Sequence, residues 1–189
     1  MVKIAICGKM ASGKTTMAEK FVNQYDNFDR YSLAEAVKRF ARFVYDIPEG
    51  HKDRVAFQKI GDGARKELYE NIWIDTVLNE VSHHEALAEG EGILKNFVID
   101  DVRYANEVIN LRKDGWITIK IHIDDELQIE RLKERYPNDW EVHVGARHHA
   151  SEAEVDDIPE DMFDVVVSAS NNNEPFAQVE DYIFNVLVQ

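Results

Sequence analysis

The sequence predicts an α/β fold in three layers, a parallel sheet with helices on both faces. Three observations predict it. Short β-rich apolar runs alternate with longer stretches of helical period along the whole chain, and crossovers of that kind make neighbouring strands parallel. The first run is followed at once by a glycine-containing loop and then by a helical stretch. The length of 189 residues, with 44% apolar and 31% charged side chains, suits a single domain with a sizeable core and room for a small insertion.

In chain order, residues 2–7 are β-rich and apolar apart from Lys3 and predict the first strand, and residues 15–25 predict the first helix. Residues 33–45 place Ala36, Val37, Phe40, Ala41 and Val44 at helical spacing, and Ile47-Pro48-Glu49-Gly50 stops that helix with turn chemistry. A further helix is expected over 54–60. After Gly61-Asp62-Gly63, residues 64–88 read as one long helix or two joined near Asn71, with Leu68, Ile72, Val77 and Val81 among the buried positions. Gly90-Glu91-Gly92 ends this stretch, and a second strand follows over 93–99. A helix over 104–113 stops at Gly115, and a third strand covers 116–123. Asp124 is placed to N-cap a helix running to Tyr136, where Pro137-Asn138 breaks the pattern. Residues 137–161 are mixed, charged and rich in histidine, and read as loop. A last strand over 164–167 leads into a closing helix over 174–188.

Charge narrows the partners. With 22 basic and 36 acidic side chains the net charge is −14, and so negative a surface repels polynucleotide backbones and anionic lipid headgroups. Small molecules are the expected partners, for a monomer or a homodimer. Cys7 is the single cysteine and cannot form an intramolecular disulfide, and the chain enters a strand pattern without a cleavable signal, so a cytoplasmic location is expected. The longest apolar run, Ile4-Ala5-Ile6-Cys7, is far below the roughly 18 residues that would suggest a membrane span.

Gly8-Lys9-Met10-Ala11-Ser12-Gly13-Lys14-Thr15 fits the phosphate-binding pattern G-x-x-x-x-G-K-[ST] at every fixed position, between a strand and a helix as its mechanism requires. Gly8 and Gly13 let the backbone curl its N–H groups toward phosphate oxygens, and the helix start adds its positive dipole end. Lys14 supplies a point charge for the β- and γ-phosphates, and the Thr15 hydroxyl can ligate Mg²⁺. The expected triphosphate-binding set is Gly8, Ala11, Ser12, Gly13, Lys14, Thr15 and Thr16, the last being either first-turn packing or an α-phosphate contact. Phe97-Val98-Ile99-Asp100-Asp101 ends a buried strand with two carboxylates at the same sheet edge, so Asp100, Asp101 or both should face the metal, the alternative being a helix cap. Arg103 at the mouth of that crevice reads as a bidentate phosphate clamp, and Asn106-Glu107 as capping residues.

Further segments carry a resemblance: Ser32-Leu33-Ala34-Glu35-Ala36-Val37-Lys38, Gln58-Lys59-Ile60-Gly61-Asp62-Gly63-Ala64-Arg65 with Trp73 soon after, Asp101-Val102-Arg103-Tyr104-Ala105-Asn106-Glu107, and His149-Ala150-Ser151-Glu152. With the phosphate loop, they make most of the chain similar to the P-loop nucleoside monophosphate kinases, most closely the deoxynucleoside monophosphate kinases of bacteriophages. The resemblance implies the P-loop NTPase fold, with a helical monophosphate-binding region over about 33–90 and a lid over about 131–150. It implies that Lys38, Arg65 and Arg103 hold the acceptor phosphate, with Ser32, Trp73, His149 and Glu152 in the same region. Ala105 departs from the proline expected there, and Gly63 is an unusually flexible residue for a helix start.

Arg131 and Arg135 share one helix face at i, i+4, and Arg147 lies in the following loop. Arginines delivered by a closing lid can stabilise a transferring phosphoryl group, so Lys14, Arg103, Arg131 and Arg135 are the expected catalytic residues and Arg147 an ATP contact. The competing reading of this helix is a solvated one, since Glu130 and Glu134 alternate with the arginines. His143, His148 and His149 lack zinc-ligand spacing, and His83-His84 read as surface. The expectation is a Mg²⁺-dependent transfer from ATP to a deoxynucleoside 5′-monophosphate, in the host cytoplasm if the chain is phage-encoded. Another acceptor (a modified base in DNA, dephospho-coenzyme A or another phosphorylated metabolite) and a non-catalytic ATP-binding module remain the alternatives.

Overall fold

Strands β1 (Lys3–Gly8), β2 (Phe28–Tyr31), β3 (Asn96–Val102), β4 (Ile117–His122) and β5 (Val165–Ser168) form one sheet in the order β2-β3-β1-β4-β5, and every pairing is parallel. The computed structural model describes residues 1–48, 54–145 and 150–187. Helices α1 (Lys14–Gln24), α2 (Leu33–Tyr45), α3 (Arg54–Glu67), α4 (Ile72–Gly90), α5 (Ala105–Lys113), α6 (Asp125–Arg135), α7 (Trp140–Gly145), α8 (Ala150–Asp157) and α9 (Glu174–Leu187) connect and follow the strands. No described helix is long and apolar enough to cross a membrane.

The apolar runs are continuous because both faces of the sheet are covered. Ile4, Ile6, Val98, Ile119 and Ile121 point to one face and pack with Met17 and Phe21 of α1 and with Phe176 and Val179 of α9. Their neighbours Ala5, Cys7, Phe97 and Ile99 point to the other, against Ala36, Val77, Val108 and Val155 from α2, α4, α5 and α8. Cys7 is 1% exposed, and burial pushes its thiol up to about 12.

The structure differs from the sequence expectation in places with clear physical causes. β2 was not expected. It is a short edge strand carrying Asp29 and Arg30, and its charges hide the extended segment that pairs Arg30 with Val98. Gly61-Asp62-Gly63 does not separate two helices; α3 runs through it to Glu67, and the break comes at residues 68–71. Gly61 lies against Val37, and its carbonyl accepts from Trp73 Nε1 at 2.9 Å, so packing against the neighbouring helices overrides local propensity there. Leu68, expected inside, lies beyond the end of α3 and is 71% exposed. Ile93 and Leu94 are likewise exposed and precede β3 instead of opening it. The stretch 137–161, expected as loop, holds α7, α8 and a 3₁₀ turn at Glu160–Met162.

Candidate active site

The phosphate loop is shaped by close approaches. A Cβ on Gly8 would lie 2.7 Å from Ser12 Oγ and 2.8 Å from the Ile121 carbonyl oxygen, so only glycine fits between β1 and β4 there. Gly13 takes φ 103° and precedes α1 without a side chain that could cap its first-turn amides. The Lys14 side chain, 7% exposed, donates from Nζ to the Gly8 and Lys9 carbonyls, both at 2.6 Å. Burial, aided by the Arg103 charge, lowers its ammonium to about 7. Ser12 Oγ is buried with no hydrogen-bond partner, an orphan polar atom inside the loop.

The two carboxylates at the end of β3 divide. Asp100, 2% exposed, accepts from Thr15 Oγ1 at 2.7 Å and from Arg30 Nε and Nη2 at 3.0 and 2.7 Å. Asp101 turns to the start of α2, accepting from Ser32 Oγ and from the Leu33 and Ala34 amides at 2.7, 2.9 and 2.8 Å. Asp101 therefore caps α2, not the helix that follows it, and Asp100 is the carboxylate brought to Thr15. Ser32 is the α2 N-cap, its Oγ accepting from the Glu35 amide, and is thereby tied to Asp101.

Beyond them lie the two arginines. Glu107, 1% exposed, accepts from the Arg103 and Tyr104 amides at 2.8 and 3.1 Å and pairs with Arg65, whose guanidinium lies 4.3 Å from the Tyr104 ring centroid. Burial raises the Glu107 carboxyl, and the Arg65 charge opposes that rise. Arg103 pairs with Glu152, itself 2% exposed. Lys38 and Arg42 both bond Glu35 on α2.

The phosphate loop from Met10 to Thr15, Asp100, Asp101 and Arg103 open onto a cleft of about 850 Å³, whereas Ser32, Lys38, Arg65 and Glu152 are not among its lining residues. Thr16, Arg131, Arg135 and residues 169–173 line it as well. Arg131 donates to the Ala11 carbonyl at 2.9 Å and to the Ser170 carbonyl at 2.5 Å, bridging the phosphate loop to the turn after β5. Arg135 lies 5.6 Å from the Tyr136 ring centroid. Gln128, 1% exposed, donates from Nε2 to the Met10 carbonyl at 2.9 Å. Arg30, Gln128 and residues 169–173 were not foreseen. Their signals were slight: Arg30 precedes the Ser32 cap by one extended turn of chain, and the polar run after β5 occupies the C-terminal edge where parallel sheets bind ligands.

Other expected residues lie elsewhere. Trp73 is 2% exposed and part of the core on the α2–α4 side, so it packs helices and does not reach the cleft. Glu152 sits against the phosphate loop and not against the α2–α3 region. Arg147, His148 and His149 lie outside the described residues. His143 stacks on Tyr136 at 3.6 Å and faces Asp139.

No group of three or more His, Cys, Asp or Glu side chains that could hold a metal occurs among the described residues. Thr15 Oγ1 and Asp100 together offer hard oxygens beside a polyphosphate cradle, which fits a magnesium ion completed by substrate oxygens and water.

No protein-family model matches the chain, and no curated protein matches it. Solved structures do. TT1252 from Thermus thermophilus superposes with a TM-score of 0.62 at 17% identity, over 98% of this chain and 97% of that one. Shikimate kinase from Aquifex aeolicus gives 0.60 at 19% identity over 98% of both chains. Both share this chain's fold. Dephospho-CoA kinase from Campylobacter jejuni shares it at a TM-score of 0.52 and 15% identity, covering 98% of this chain and 96% of that one. The cleft lies at the C-terminal edge of the parallel strands, beside the loop between β1 and α1.

Proposed function

We propose that the protein is a Mg²⁺-dependent kinase that transfers the γ-phosphoryl group of ATP to a deoxynucleoside 5′-monophosphate. The observation that carries this reading is that two sets of cationic groups lie near each other: the loop with buried Lys14 beside the Thr15–Asp100 contact, and Arg103 and Arg65 held by buried carboxylates. An acceptor phosphate oxygen would attack the γ-phosphorus, the bond to the β–γ bridging oxygen would break, and its electron pair would leave on ADP. Lys14 and Arg131 would draw charge from the donor, while Arg103 and Arg65 cancel repulsion between the two anions. Thr15 and Asp100 would hold the magnesium ion, which supplies charge neutralisation at the phosphates. On this reading α2 to α4 form the acceptor region, with Lys38 and Ser32 at its entry, and the stretch from Arg131 to about residue 150 forms the lid.

Asp101 supports an acceptor that is anionic before reaction. It already accepts three hydrogen bonds, so it is poorly placed to take a proton from an alcohol. Purified protein incubated with ATP, Mg²⁺ and each of the four deoxynucleoside monophosphates should yield diphosphate from at least one, and none from any would sink the reading. A second reading keeps the fold and changes the acceptor, favoured by likeness to kinases named for shikimate and dephospho-CoA. The version acting on DNA would require salt-sensitive binding to oligonucleotides at low salt, against which the −14 charge weighs.

A further inference from the structure

We propose that Glu152 is a positioning residue that ties the phosphate loop to Arg103, so that one buried carboxylate sets two adjoining parts of the cleft wall. The inference rests on the kinase reading of that cleft but gives Glu152 a different task from acceptor binding. Its Oε2 accepts from the Met10 amide at 2.6 Å, and its other oxygen faces the Arg103 guanidinium. A carboxylate that is 2% exposed is costly without such partners, and here they are a loop N–H and a guanidinium from the end of β3. The Met10 carbonyl, in the next peptide along, accepts from Gln128 Nε2. Helices α6 and α8 thus hold the backbone of a single loop residue, Met10, by its amide and its carbonyl.

Helix α8 is fixed well enough to serve as a strut. Asp156 pairs with Lys9, a second tie to the same loop. Val155 and Ile158 are buried in the core, and the Ile158 carbonyl accepts from Lys120 Nζ at 2.7 Å. Lys120 is itself 2% exposed and rises from the middle of β4, so the far end of α8 is pinned to the sheet. A carboxylate placed directly on an acceptor phosphate would repel it. Placed behind Arg103, it orients that guanidinium without itself facing the anion.

The role predicts different effects for two substitutions. Glu152→Gln keeps an oxygen that can accept from the Met10 amide but loses the charge facing Arg103; Glu152→Ala loses both. Titration calorimetry with Mg·ADP and no acceptor should show Glu152→Ala binding about tenfold more weakly than wild type, and Glu152→Gln within about twofold of it. Both variants should raise the acceptor KM about tenfold, while the ATP KM rises only in Glu152→Ala. Hydrogen exchange of the loop peptide around Met10, measured on the protein alone, should quicken in Glu152→Ala and stay slow in Glu152→Gln, a readout that remains if Glu152→Ala is too unstable for kinetics. Equal ADP affinity and equal loop exchange in wild type and Glu152→Ala would overturn the role. So would equal weakening of ADP by both variants. A wild type that binds no ADP would instead overturn the kinase reading of the cleft, and the exchange experiment would still decide whether Glu152 holds the loop.

Discussion

Arg30 donates twice to Asp100, the carboxylate that also accepts from Thr15, so a guanidinium neutralises the group that a metal ion would need. The two cations compete for one buried anion. Replacing Arg30 with methionine should therefore tighten Mn²⁺ binding in the absence of nucleotide by about tenfold, read by electron paramagnetic resonance, and unchanged affinity would show that Arg30 is no competitor. The same substitution should lower stability toward urea by about 1–3 kcal/mol, and saturating Mn²⁺ should restore part of it. The sequence made Lys14 and Thr15 legible because their motif fixes both spacing and role. It could not separate Asp100 from Asp101: adjacent residues on a strand project in opposite directions, and only the packed neighbours decide which one meets the loop. Here those neighbours are Thr15 on one side and the start of α2 on the other.

The helix α3 shows where local rules failed at the scale of an element. Two glycines within three residues read as a terminator, yet Gly61 and Gly63 lie inside a continuous helix. Gly61 sits in ordinary contact with Val37, whereas a Cβ on Gly63 would meet nothing within 4 Å. Gly63→Ala should consequently stabilise the protein by about 0.5–1 kcal/mol, seen as a rise in thermal midpoint of about 1–4 °C, while a fall would mean that α3 is not helical at that point. Helix α8 failed in the opposite direction. Its acidic sequence hides an inward pair, Glu152 and Val155, and a buried glutamate in place of an apolar residue erased the period that would have announced a helix. β2 was lost for a related reason, since an edge strand needs only one partner and tolerates the charges of Asp29 and Arg30.

At the scale of the whole molecule, the alternation of strands and helices gave the architecture correctly, because a parallel sheet covered on both faces writes its burial directly into continuous apolar runs. What spacing could not convey is the assembly of the cleft from segments far apart in sequence. Arg131 and Gln128 from α6, Glu152 from α8 and the turn after β5 all converge on a loop that ends at Thr15. Such contacts depend on how helices sit across the sheet edge, and the net charge of −14 says nothing of where the few basic residues gather. The lone thiol of Cys7 sits at the centre of that convergence, on the strand that feeds the loop, buried and pushed up to about 12. It is inert in the folded protein, so it is a built-in clock for opening of the central strand. Iodoacetamide should label it only as fast as the sheet opens, and slower labelling with saturating Mg·ATP would report, without any assay of turnover, that nucleotide binding grips the core through the loop.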